Sequence, residues 1–191
     1  MQKRIVCWLL CLVTLFAVSG CAVQPYEDYT TFDNIEDYCD DAQGYMGWDY
    51  YSGDVTFYFE RLAYVPYYGC YRSRYVQVQG SQWRPHHEAE VILKHTAQRD
   101  GKATVDISLE IIELQLKDVP GHWDDDGVTF KVYDNDKNII YEQELTGAAE
   151  DSRARKSLSV KLKKGEALWF SLSANEQELH DLTDVHITIR F

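Results

Sequence analysis

From about Glu88 to the C-terminus, apolar residues recur at every second position, the period of a strand with one face buried. Val91, Leu93 and His95 alternate with Ile92 and Lys94. Val105, Ile107, Leu109 and Ile111 share a face, and the phase then moves to Ile112, Leu114 and Leu116. Such a shift marks a bulge or a strand passing from one sheet to another. Val128, Phe130 and Val132 lead through Asp134-Asn135-Asp136-Lys137-Asn138 into Ile139, Tyr141 and Leu145, which predicts a hairpin. Leu158, Val160 and Leu162 form a second pair with Leu168, Phe170 and Leu172 around Lys163-Lys164-Gly165. Val185, Ile187, Ile189 and Phe191 end the chain in a strand, and Asn175 to Asp181 is the one candidate helix.

Upstream the pattern is less regular. Trp48 to Leu62 reads as a strand with Val55, Phe57 and Phe59 on one face. Tyr64 to Tyr71 reads as an aromatic loop punctuated by Pro66 and Gly69, and Arg74 to Gln79 as a short strand. Eight or nine strands with short polar turns predict an all-β fold, an antiparallel β-sandwich in which each one-sided sheet covers the other. A Tyr- and acid-rich N-terminal extension precedes it. A small closed barrel is the alternative.

The first residues follow another rule. Lys3 and Arg4 precede a 14-residue run without charge, Ile5 to Val18. That is short of the ~20 residues needed to span a bilayer but suits the core of a signal peptide. The run ends in Val18-Ser19-Gly20-Cys21, which resembles the lipobox of bacterial lipoproteins. The resemblance implies a diacylglycerol on the Cys21 thiol, cleavage between Gly20 and Cys21, and an acyl chain on the new amine, an anchor that needs no transmembrane helix. Ala22, rather than Asp, follows the cysteine, which in that class implies the outer membrane. An ordinary secretory signal is the bland alternative. The chain divides accordingly into a signal peptide (1–20), an acidic tether (21–37), a Tyr-rich segment (38–87) and the sandwich (88–191), with 38–191 as one compact domain.

Composition narrows the function. The 191 residues are 45% hydrophobic and 14% aromatic, which excludes disorder for most of the chain. The net charge of −12 deepens to −14 when residues 1–20 leave with two bases and no acid. So acidic a chain is not a nucleic-acid binder. Export also settles the cysteines: Cys7 and Cys11 depart with the signal and Cys21 is lipidated. Cys39 and Cys70 remain, an even pair in an oxidising compartment. A Cys39–Cys70 disulfide is expected, stabilising by roughly 3–4 kcal/mol through loop closure. Asp40 and Asp41, beside Cys39, argue against a reactive thiolate there.

Four clusters are candidates for chemistry. Asp124, Asp125 and Asp126, with Asp134 and Asp136 in the next turn, could collect calcium. In strand rhythm and acidic loops this region resembles the calcium- and lipid-binding C2 domains. However, the loop where that family carries further aspartates here reads Ala174-Asn175-Glu176, and ordinary turn chemistry explains the same residues. His86, His87, Glu88 and Glu90, with His95, form the histidine cluster, but same-face ligands on one strand lie nearly 7 Å apart, too far for zinc. Arg153, Arg155, Lys156, Lys161, Lys163 and Lys164 make a basic strip suited to a solvated face, anionic lipid or the acidic N-terminal segment.

The fourth cluster is aromatic. Between Tyr26 and Tyr75 lie 12 of the 14 tyrosines, and from Tyr26 to Glu60 ten acids stand without a base. Trp48, Tyr50, Tyr51, Tyr64, Tyr67, Tyr68 and Tyr71 form the candidate binding surface, since aromatics with polar tips supply contact area at little entropic cost. The alternative is that they pack the base of the sandwich. Nucleophile elbows, zinc-protease helices and phosphate-binding loops are missing from the sequence, so neither an enzyme nor a cofactor is expected. Two readings follow. One is an outer-membrane lipoprotein whose non-catalytic β-domain supports or binds an envelope or secretion assembly through a protein partner. The other is a ligand-binding module, for glycan through the aromatic surface or for calcium and lipid through the acidic loops.

Overall fold

A computed structural model describes residues 29–112, 127–146, 151–175 and 181–191. The signal peptide, Cys21, Asp124, Asp125, Asp126, Leu114, Leu116 and most of the candidate helix at 175–181 lie outside them. The described residues form β1 (Thr31–Asp33), β2 (Trp48–Gly53), β3 (Phe59–Arg61), β4 (Ala63–Val65), β5 (Cys70–Arg72), β6 (Gln77–Gln79), β7 (Gln82–Arg84), β8 (Glu90–Thr96), β9 (Gly101–Ile111), β10 (Val128–Tyr133), β11 (Ile139–Leu145), β12 (Arg153–Leu162), β13 (Ala167–Ala174) and β14 (Thr183–Arg190). They pair into two antiparallel sheets. One runs β12-β9-β14-β7-β6-β5-β4 with β1 added beside β14; the other runs β11-β10-β13-β8-β2-β3.

The period-two pattern becomes the core. Ala103, Val105, Ile107 and Leu109 of β9, with Val185, Ile187 and Ile189 of β14, face Val91 and Leu93 of β8, Phe130 of β10, and Phe170 and Leu172 of β13. All are buried, and each such side chain stabilises the fold by roughly 1.5–3 kcal/mol, less for alanine. The sandwich, not the barrel, is the fold: two sheets share this core, each presenting its other face outward.

Several expectations need correction. The described strands number more than eight or nine because the Tyr-rich segment supplies short ones to both sheets. The stretch 48–62 is not one strand but the β2–β3 hairpin. Gly53 adopts φ +139°, a Cβ there would meet the Tyr58 carbonyl at 2.3 Å, and the Asp54 carboxylate accepts from Thr56 and Phe57 N–H groups. The body of the domain reaches into the expected tether: Thr31–Asp33 pair with Arg190–Thr188, and Phe32 is wholly buried. Leu162 and Leu168 do not flank a hairpin. β12 pairs with β9 in one sheet while β13 pairs with β10 and β8 in the other, so the Lys163-Lys164-Gly165 turn carries the chain between sheets.

The expected disulfide is also absent. Cys39 and Cys70 are both free, Cys70 buried and Cys39 partly so. Tyr71 hydrogen-bonds through its hydroxyl to the Cys39 carbonyl. Cys70 is fully buried at the start of β5 while Cys39 stays half-buried, so the two thiols stand in different surroundings.

Candidate functional site

The β4–β5 hairpin is one of two turns that hold aromatic side chains of this segment out in water. Val65 pairs with Cys70, and the Val65 carbonyl accepts from the N–H groups of Tyr68 (2.9 Å) and Gly69 (3.0 Å). Gly69, at φ +65°, takes the left-handed position that closes the turn. Tyr67, at its tip, is 88% exposed and Tyr68 54%. Their rings meet edge to face with centroids 4.9 Å apart. The Arg72 guanidinium, from β5, lies 4.3 Å from the Tyr68 centroid, a cation–π contact. Tyr64 stands behind them and donates its hydroxyl to Asp40 (3.3 Å). Gln79 reaches the foot of the turn beside Gly69.

Beneath the hairpin is a buried aromatic stack. Tyr64 packs edge-on against Tyr71, Tyr71 stacks on Tyr50 at 4.7 Å, and Tyr38 meets both edge to face at 5.7 Å. Tyr38 donates to the Val78 carbonyl. Burial raises the hydroxyl pKa of Tyr38 and Tyr50 well above the ordinary phenol and that of Tyr71 to about 12. These groups stay neutral and act as structure. The expected surface therefore divides: Trp48, Tyr50 and Tyr71 are core residues, with at most 2% exposure. Their positions on the inward register of β2 and β5 explain it. Tyr64, Tyr67 and Tyr68 remain as the outward part.

Tyr51 belongs elsewhere. On the outer face of the smaller sheet it packs edge-on against Phe59 (5.2 Å) and near Trp169 (6.0 Å). With Val55, Ile92 and Tyr133 these form a small second core under the β2–β3 turn. Lys137 lies 2.9 Å from the Trp169 centroid and 4.8 Å from that of Phe59, and desolvation pushes its ammonium down to about 8. Phe57 and Tyr58, at the tip of that turn, are 92% and 65% exposed. Periodicity missed them because a strand through 48–62 would have buried Phe57 on the face of Val55; the Gly53-Asp54 pair was the available turn signal.

The other clusters resolve differently. Asp134 spends its carboxylate on the Asp136 N–H and on Asn138, hydrogen bonds that, against slight burial, hold it below the usual carboxylate range. His86 and Ala89 exchange backbone hydrogen bonds across a tight turn, so His86, Glu88 and Glu90 do not share one extended strand. The His86 and His87 rings stack at 4.2 Å, with Tyr75 beside His86 at 4.9 Å. Among the described residues, no three His, Cys, Asp or Glu side chains converge as a metal site. His95 is buried in the core, 4.5 Å from the Trp48 ring centroid and 5.0 Å from that of Phe32, and desolvation pushes it down to about 3.

The basic strip lies along β12, an edge strand, where cations also discourage edge-to-edge pairing. Arg153 pairs with Glu110 of β9, and Lys156 approaches the Tyr141 ring at 5.6 Å. Arg155 lines a shallow groove of about 390 Å³ with Asp106, Ser108, Ser157, His186 and Thr188. Lys161, Lys163 and Lys164 stand at the opposite end of the strand, so the strip is two clusters rather than one.

No family model matches the chain, and no curated protein matches it. Among solved structures the chain is similar to the CBM35 from Paenibacillus barcinonensis, at 12% identity and a TM-score of 0.38, over 85% of this chain and 99% of that one. It is similar at 14% identity and 0.38 to the CBM35 of Cellvibrio japonicus Abf62, over 85% and 94%. A carbohydrate-binding module (CBM6cm-2) from Cellvibrio mixtus lichenase 5A, in complex with cellotriose, matches at 8% and 0.36, over 85% and 98%. The architecture described above rests on this chain's own strand pairing.

Proposed function

We propose that the chain is a lipid-anchored envelope protein of the outer membrane whose sandwich is a non-catalytic binding module, and that its ligand is a glycan met by the β4–β5 hairpin. One observation carries the reading: the Tyr67 ring stands 88% exposed on a turn braced by two backbone hydrogen bonds. A large aromatic held out in water is apolar area left uncovered, and it offers a face on which the C–H side of a pyranose can stack. Polar partners suited to hydroxyl groups surround it: the Arg72 guanidinium, the Tyr64 hydroxyl with Asp40, and the Gln79 amide. The lipobox and Ala22 support the membrane assignment.

Calorimetric titration with envelope polysaccharides and peptidoglycan fragments tests the ligand. Saturable binding that Tyr67→Ala weakens roughly ten-fold supports it; equal affinity in that variant contradicts it. A second reading, a protein partner within an envelope assembly, has its own observation. β11 is an edge strand that carries Ile139, 51% exposed, and Ile140, 38% exposed. Such an edge suits strand addition by a partner. Retention of a protein partner that Ile140→Lys removes, with no glycan bound, would favour it.

A further inference from the structure

Where the chain leaves the sandwich determines which end faces its anchor. The Thr30 carbonyl accepts the Phe191 N–H, so the N-terminal segment departs beside the last residue of the chain. The Phe191 ring lies against Gly101, at the start of β9, and Gly101 pairs with Leu162, at the end of β12. The 99–101 and 163–165 turns close the same end: Lys164 donates its N–H to Asp100, and Gly165 donates to the Ala97 carbonyl.

That end is basic on an acidic protein. Arg99, Lys102, Lys161, Lys163 and Lys164 gather there, against Asp100 and Glu166, whose carboxylates accept the backbone N–H groups of Lys164 and Lys163, and against Asp134 and Asp136, which line a neighbouring hollow with Lys161. Lys161 and Lys102 stand directly opposite each other on β12 and β9. Like charges in that register repel. Both side chains are exposed, and neither forms an ion pair among the described residues. With Gly101, Leu162, Lys163 and Glu166 they line a surface basin of about 550 Å³. A like-charged pair on the rim of an open basin, with neither side chain in an ion pair among the described residues, suits an external anion.

The geometry points to anionic phospholipid head groups of the leaflet that holds Cys21 as the occupant of this basin; the inference rests on the lipid-anchor reading. From Cys21 to Thr30 an extended chain spans at most about 30 Å, so this end is reached with slack. The far end lies a further eight-residue strand away, about 26 Å, and would need the segment to run back along the domain. Each lysine near an anionic surface is drawn to it, and together they set the domain upright on its anchor.

The test uses the full chain, expressed through export and reconstituted in vesicles of phosphatidylcholine with or without about 30 mol% phosphatidylglycerol. Lysines are acylated with a water-soluble amine reagent and read by mass spectrometry. On the anionic vesicles Lys102, Lys161 and Lys163 are expected to label about five-fold more slowly or less, with Lys156 unchanged and the protection lost at about 0.5 M salt. Unslowed labelling, or equal slowing of Lys156, overturns the proposal. The Cys21 peptide from the same sample reports the anchor separately. An unmodified Cys21 contradicts the anchor reading and leaves the lysine pattern to decide the basin. The Lys102→Glu, Lys161→Glu double variant should lose protection at Lys163 while keeping its acyl chains.

Discussion

The Tyr71 hydroxyl donates to the Cys39 carbonyl, and this contact fastens the aromatic segment where a covalent bridge was expected. Cys70, the residue before Tyr71 in the same strand, is fully buried, and Cys39 is only partly so. Burial raises the pKa of the Cys70 thiol, which further slows its chemistry. Alkylation in denaturant without reductant should therefore modify both Cys39 and Cys70. In the native protein, Cys70 should react on the order of a hundred-fold more slowly than Cys39. A cross-linked Cys39–Cys70 peptide would contradict this. Tyr71→Phe should cost about 1 kcal/mol in urea unfolding.

His95 makes stability depend on pH. It is neutral in the fold, with its pKa pushed from 6.5 to about 3 by desolvation. The unfolded chain takes up a proton near pH 6.5 that the native state refuses, so stability falls as pH drops from 6.5 toward 3. The slope approaches about 1.4 kcal/mol per pH unit, roughly 2 kcal/mol by pH 5. Urea midpoints measured between pH 7.5 and 5 should show the slope, and His95→Leu should remove it. An unchanged slope in that variant would sink the assignment.

Asp33 ties the N-terminal strand to β14. Burial raises its pKa, but hydrogen bonds from His186 (2.7 Å), the Ile35 N–H, Thr188 (2.9 Å) and the Glu36 N–H prevail and hold it below the ordinary aspartate value of 3.8. With the folded pKa depressed, this stabilisation is complete well above pH 3.8 and is lost as pH falls through the lower folded value. Asp33→Ala should destabilise by about 2 kcal/mol at pH 7 and free the Thr31–Asp33 amides to exchange. Unaltered exchange there would contradict the role.

Gly127 is a stringent backbone position. At φ +82°, a Cβ would stand 1.9 Å from the Leu145 carbonyl oxygen. Gly127→Ala should cost at least about 3 kcal/mol or prevent folding. Gly80→Ala, at φ +57° with open space around it, should cost only about 1 kcal/mol. Thermal unfolding of the two variants compares them directly, and equal losses would contradict the steric account.

The inward faces of β8, β9, β10, β13 and β14 were legible in the alternation of residues such as Val91, Leu93 and His95, because that period reports burial of one face. Sheet membership was not legible. Leu158–Leu162 and Leu168–Leu172 alternate identically whether they pair with each other or with β9 and β8. In the Tyr-rich segment, aromatic content obscured direction. Trp48, Tyr50 and Ser52 do alternate as a buried strand face, and that signal could have removed Trp48 and Tyr50 from the candidate surface. The outward placement of Tyr67 and Tyr68 followed from the Pro66 and Gly69 turn. Arg72 escaped notice because the cation–π contact depends on cross-turn geometry, not on spacing.

The proposal that Tyr67 and Tyr68 form a glycan platform is tested most directly by calorimetric titration of the wild-type chain, Tyr67→Ala and Tyr68→Ala with fragments of bacterial envelope polysaccharides. Each aromatic face should contribute about 1–1.5 kcal/mol, so each variant should lose roughly ten-fold in affinity with an unchanged unfolding midpoint. Saturable binding that survives both substitutions, or no binding by the wild-type chain to any fragment, would contradict it.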